Sequence, residues 1–186
     1  MSNAPRAEIP PYSIELHCHH FAAWAAARAA SVKGCRFSVA EGRDLLERCG
    51  FGAQMGVEDL PEPKDMDASH AKWRAAICCQ PAPKGIQMTH GIAAKLINVY
   101  LKARFVHPPD HLHLKVFALH PPIDRLMLDA MAKADFGGNV ELWRKTSRRG
   151  WSKLDGTEYQ EVIAAIRRGL GKKPMWMIEE FWRGYQ

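Results

Sequence analysis

Apolar side chains recur along this chain every three to four positions, and no stretch alternates in steps of two. The first periodic segment, 17–31, is alanine-rich and carries Phe21, Trp24, Ala25 and Arg28 at helical spacing. Ser38 followed by Glu41 has the form of a capping box and predicts a helix that Gly50 ends. A Pro-rich connector over 56–66 leads to a third helix around 68–79, with Asp67 as its expected cap, before "CCQPAPKG" breaks the chain. Residues 91–104 predict a fourth helix. Asp124 opens a fifth that stops before "FGG" at 136–138, and Asn139 opens a sixth. Asp155 with Glu158 offers a second capping box for the seventh, which fades at "GLGKKP"; Pro174 fits the first turn of a last helix through Trp182. The expected fold class is all-α, a compact multi-helix domain.

Length and composition narrow this further. At 186 residues and 47% hydrophobic content the chain suits a single domain, 1–186, with a sizeable core. Within it there is room for two helical subdomains, about 1–85 and 86–186, flanking a cleft. No apolar run approaches the roughly 20 residues that span a bilayer, and "MSNAPRAEIPPYS" lacks a signal-peptide core. A cytoplasmic monomer without a membrane partner is expected, nucleoid-associated if the source is bacterial. The five cysteines form no CxxC pair, so the expectation is reduced, mostly buried thiols, not a zinc ribbon or a disulfide framework. "HCHH" puts His17 and His20 on one helical face, and His111 and His113 stand two apart in "HPPDHLH". Neither group has further Cys/His spacing, so no metal and no cofactor is expected.

Charge changes the picture. Residues 1–90 hold ten Lys/Arg against ten Asp/Glu, whereas residues 91–186 hold sixteen against ten, so the whole net +6 lies in the second half. The cations concentrate in "RKTSRRGWSK" (144–153) and "RRGLGKK" (167–173), with Trp143 and Trp151 close by. That pattern suits a polyanionic partner, and it equally suits a solvated basic face.

Two segments carry candidate chemistry. In "HGIAAKLINVYLKARF" (90–105), Ile92, Leu96, Val99 and Ala103 share one helical face, and Lys95 lies at its edge with Asn98 and Lys102. A lysine at such a boundary reaches a semi-buried cleft, where burial and a neighbouring cation favour the neutral, nucleophilic amine. In "ALHPPIDRLML" (118–128), Asp124 stands behind two prolines at a helix entrance, as a cap, a catalytic carboxylate or both.

The order of a Gly-containing loop, a lysine opening a helix, and Pro-apolar-Asp opening the next helix resembles the helix-hairpin-helix DNA glycosylases. The archaeal-type 8-oxoguanine glycosylases are the nearest pattern. "HGIAAK" is similar to the family's hairpin at Gly91 and Lys95, and "PPID" to its Pro-Val-Asp at Pro122 and Asp124. The resemblance implies that Lys95 is a Schiff-base nucleophile. It implies that Asp124 activates the amine and stabilises positive charge on the sugar. The partner implied is double-stranded DNA carrying a damaged or modified, 8-oxoguanine-like base. Ala93 replaces the hairpin's second glycine, the Lys–Asp separation is 29 residues and no four-cysteine cluster follows in this sequence, so a minimal helical version without an N-terminal β-domain is expected. For the flipped base, Trp73, His120, Phe181 and Trp182 are the expected pocket residues. Gly91, Lys102, Arg125, Arg148, Arg149 and Lys153 are the expected DNA-contacting ones. A non-catalytic helical DNA-binding or accessory protein, and a protein-interaction module, are the competing readings.

Overall fold

In the computed structural model, which describes residues 12–80 and 88–184, helix starts follow from short polar side chains. Ser13, Ser38, Thr89, Asp124 and Asp155 each adopt extended backbone and accept a backbone N–H two or three residues onward. They open α1 (Ile14–Ala30), α2 (Val39–Arg48), α4 (His90–Phe105), α6 (Arg125–Lys133) and α8 (Gly156–Leu170). Three more helices, α3 (Met66–Cys78), α5 (Leu114–Phe117) and α7 (Val140–Arg149), complete the order, joined by short 3-10 turns. Among the described residues there is no strand beyond an isolated bridge between Val32 and Cys35, and the domain is all-α. No helix of the described residues is long and apolar enough to cross a membrane.

Several expectations need correction. The face of α1 carrying Phe21 and Trp24 is exposed, while Ala22, Ala23, Ala26, Ala27 and Ala30 are buried against α4. Alanine contributes little side-chain bulk, so the two helices pack backbone-close. Asp67 does not cap α3, because it stands inside the helix's first turn with its carboxylate turned to Arg167 and His120. The segment after Pro174 is a 3-10 helix, Met175–Phe181, not an α-helix. Met175 and Ile178 are buried and Phe181 packs beside them, and a spacing of three matches the 3-10 period. Cys35 alone of the five cysteines is buried, whereas Cys18 and Cys79 are exposed.

Two apolar cores divide the domain. One gathers α1 to α5 and the other gathers α6 to α8 with the C-terminal 3-10 helix. α4 belongs to the first and sends Ala94 into the second, which leaves it buried on nearly every side. The expected boundary near residue 85 lies outside the described residues. In the packing, α4 groups with the N-terminal helices.

Candidate active site

Lys95 occupies the second turn of α4, and its side chain is 9% exposed. Three groups surround its amine. Nζ donates to the Ile123 carbonyl at 3.0 Å, stands 3.5 Å from Asp124 Oδ2, and lies 5.4 Å from the centroid of the Trp151 ring. Burial disfavours the cation and holds this amine below the ordinary lysine value, with the Asp124 charge as the chief opposing influence. A buried amine whose charged form is disfavoured by desolvation is one arrangement that makes a lysine nucleophilic.

The two oxygens of Asp124 do different things. Oδ1 accepts from the Met127 N–H at 2.9 Å and caps α6, while Oδ2 faces Lys95. Capping orients the carboxylate, so the cap and the partner of the amine are one residue in one rotamer.

Lys95 and Asp124 open onto a cavity of about 400 Å³. Ala25 and Ala29 of α1, Val99 and Ala103 of α4, and Pro122 give it small apolar walls. Polar groups enter it from Lys102 and Glu179, and Trp182 supplies its one large aromatic surface. Lys102 and Glu179 form an ion pair, with the Lys102 amine 5.4 Å from the centroid of the Trp182 ring. An apolar cleft with a few convergent polar groups is the usual form of a small-ligand or flipped-base pocket.

The other expected site residues divide. Trp182 and Lys102 line this cavity. Trp73, His120 and Phe181 do not, which corrects their expected place in a base pocket. Trp73 packs edge-on against Phe51 in the first core and borders a separate hollow with Cys49 and Met55. His120 is buried with both ring nitrogens engaged, Nε2 on Asp67 at 2.8 Å and Nδ1 on the Tyr159 hydroxyl at 3.1 Å. No ring edge is left for a ligand. Phe181 packs edge-on against Phe136.

Gly91 is also corrected. It is buried, its N–H donates to Leu154 O at 3.0 Å, and a Cβ there would stand 1.9 Å from the Trp151 carbonyl oxygen. Gly91 therefore permits α4 to close against the Trp151 turn and offers nothing to a phosphate. That same contact brings Trp151 beneath the Lys95 amine. Arg125, Arg148, Arg149 and Lys153 are exposed, with Arg149 also paired to Glu158 at 3.1 Å. Arg148, Arg149 and Lys153 flank Trp151 in sequence, and of this segment it is the Trp151 ring that lies near the Lys95 amine.

Glu179 escaped the sequence reading. Its signal was a three-residue spacing from Trp182, which places both on one side of a helical turn, whether 3-10 or α. The histidines of "HCHH" are engaged locally or in the core. His17 bonds Tyr12, and His19 bonds Tyr100 and Glu47. Among the described residues no group of three or more His, Cys, Asp or Glu is placed to hold a metal ion. Compared with family models, curated proteins and solved structures, the chain gives no match, so the site is read from its own geometry.

Proposed function

We propose that this protein is a DNA glycosylase with AP-lyase activity, acting on a damaged or modified, 8-oxoguanine-like base through Lys95. The observation that carries the reading is the buried Lys95 amine 3.5 Å from the Asp124 carboxylate at the wall of a cavity of about 400 Å³. The extruded base would stack on Trp182 and present its polar edge to Glu179 and Lys102. Such groups suit a purine that carries both donors and acceptors.

The neutral Lys95 amine attacks C1′ of the extruded nucleotide as the glycosidic bond breaks, and the base leaves with the bonding electron pair. The base takes up a proton, and the attacking nitrogen loses one. The Asp124 carboxylate stabilises the cationic character that develops on the sugar. Opening of the sugar ring gives an imine between Lys95 and C1′. Loss of a C2′ proton then expels the 3′-phosphate by β-elimination, and hydrolysis of the imine returns the amine. Arg125, Arg148, Arg149 and Lys153 hold the flanking phosphates, where a cation needs little geometric exactness.

The test is borohydride trapping on abasic and damaged duplexes. Wild type forms a covalent adduct and nicks the strand, and Lys95→Gln does neither. An exposed basic turn without chemistry would also serve a non-catalytic DNA-binding protein. Salt-dependent binding with no adduct from the wild type favours that second reading.

A further inference from the structure

We propose that Asn98 is the positioning residue for Asp124: from α4 it fixes the Pro121–Pro122–Ile123 segment and thereby sets where the carboxylate stands relative to Lys95. The importance given to that pair rests on the glycosylase reading, but the positioning itself is measurable without DNA.

Residues 119–124 are irregular, and 119–123 are buried. Two successive prolines bring no N–H donors, so this stretch cannot be tied down through its own amides there. It is held by its carbonyls. Asn98 Nδ2 donates to Pro121 O at 2.9 Å, and Lys95 Nζ donates to Ile123 O at 3.0 Å. Both donors lie on α4, three residues apart and so on adjoining turns of one face. The residue after Ile123 is Asp124.

The two anchors are not equivalent. An amine that attacks a substrate must leave Ile123 O, whereas Asn98 takes no part in bond making. The Pro121 anchor is therefore the one that persists while Lys95 reacts.

Asn98 is itself fixed on every valence. It is 1% exposed. Its Oδ1 accepts from His70 Nε2 at 2.7 Å, and the second hydrogen of Nδ2 goes to the Tyr159 hydroxyl at 2.9 Å. Tyr159 donates onward to His120 Nδ1, and His120 Nε2 donates to Asp67, which also receives Arg167 at 2.7 Å through each of two nitrogens. The donors and acceptors run in one consistent direction when both histidines are neutral, the state that burial of both rings favours. Since His120 directly precedes Pro121, the chain grips the same segment at two successive residues. α3 and α8 thus support, through Asn98 and His120, a loop that delivers the carboxylate to α4.

The experiment measures how strongly Asp124 acts on Lys95. The Lys95 amine is titrated by NMR in protein carrying 13Cε-lysine, its signal assigned by its loss in Lys95→Gln. Asp124→Asn lowers the Lys95 midpoint in the wild-type background, because the opposing charge is gone. In the Asn98→Ala background the same change lowers it by less than half as much. Asn98→Asp, which keeps the shape and the acceptor but presents no donor to Pro121, gives the same attenuation and serves if the alanine variant does not fold. Ile166→Ala, a core truncation on α8 that also lowers stability, leaves the full shift.

Equal shifts in the wild-type, Asn98→Ala and Asn98→Asp backgrounds overturn the proposal, and so does equal attenuation by Ile166→Ala. In single-turnover base excision, Asn98→Ala slows release at least tenfold with duplex Kd within twofold of wild type. It adds less than twofold to the defect of Asp124→Asn; full additivity counts against positioning. If wild type releases no base from any duplex while the titration behaves as stated, the glycosylase reading fails and the positioning stands.

Discussion

Asp124→Asn separates the two jobs of one carboxylate. Asparagine caps helices about as well as aspartate, so the bond from the Met127 N–H at 2.9 Å survives and α6 keeps its start. What disappears is the charge 3.5 Å from Lys95 Nζ. With an effective dielectric near 20, two unit charges at that separation attract by about 5 kcal/mol before desolvation is counted. Lys95 avoids most of that loss by releasing its proton more readily, and it keeps the Ile123 carbonyl as a partner. The stability cost is therefore about 1–2 kcal/mol, a Tm lower by roughly 2–8 °C. On the proposed glycosylase reading catalysis suffers more, since the carboxylate would stabilise the positive charge that develops on the sugar. Removing such a preorganised group costs about 3–4 kcal/mol in the transition state, a fall of about 10²- to 10³-fold. Single-turnover base release on a damaged duplex, with thermal unfolding of the same sample, reads both numbers. Base release by Asp124→Asn within threefold of wild type refutes the reasoning and leaves Asp124 as a cap.

Lys95→Gln abolishes borohydride trapping while keeping the fold, checked by circular dichroism; an adduct from this variant moves the nucleophile elsewhere, with Lys102 the next residue to test. Gly91→Ala drives a Cβ to 1.9 Å from the Trp151 carbonyl oxygen and lowers stability by about 1–3 kcal/mol in urea unfolding, despite the better helix propensity of alanine. His70 and His120 are buried and held below the ordinary histidine value, chiefly by desolvation. The folded state refuses protons that the unfolded chain accepts, so this stability is present above about pH 6.5 and is lost below it. The slope is at most about 1.4 kcal/mol per pH unit for each ring, and urea midpoints that do not change from pH 7 to 5.5 would contradict it. Arg148→Ala with Arg149→Ala weakens binding to all duplexes alike and lowers the salt slope by about two, read from affinities across a salt series.

The helices were legible because their signals are local. A capping serine or aspartate bonds an amide two or three residues away, and a 3.6-residue period needs only its own segment, so Ser38, Asp124 and Asp155 announced their helices directly. Lys95 and Asp124 were legible as a pair because each opens or edges a helix, although nothing local fixes the 3.5 Å between them. That distance belongs to the tertiary structure, through two carbonyls held by α4. The same limit misplaced Trp73, His120, Phe181 and Asp67. Whether Trp73, Phe181 or Trp182 faces a cavity depends on which neighbours close over it, and those neighbours come from distant parts of the chain. Asp67 has a capping residue's composition, yet Arg167, a hundred positions away, claims its carboxylate. Gly91 carried the same ambiguity: a glycine in a helix's first turn suits a phosphate or a tight backbone contact, and only the approach of Trp151 decided between them. Sequence determined which segments coil and which groups have chemistry to offer. Long-range packing decided which of those groups meet, because burial and proximity are properties of the assembled helices and not of any one of them.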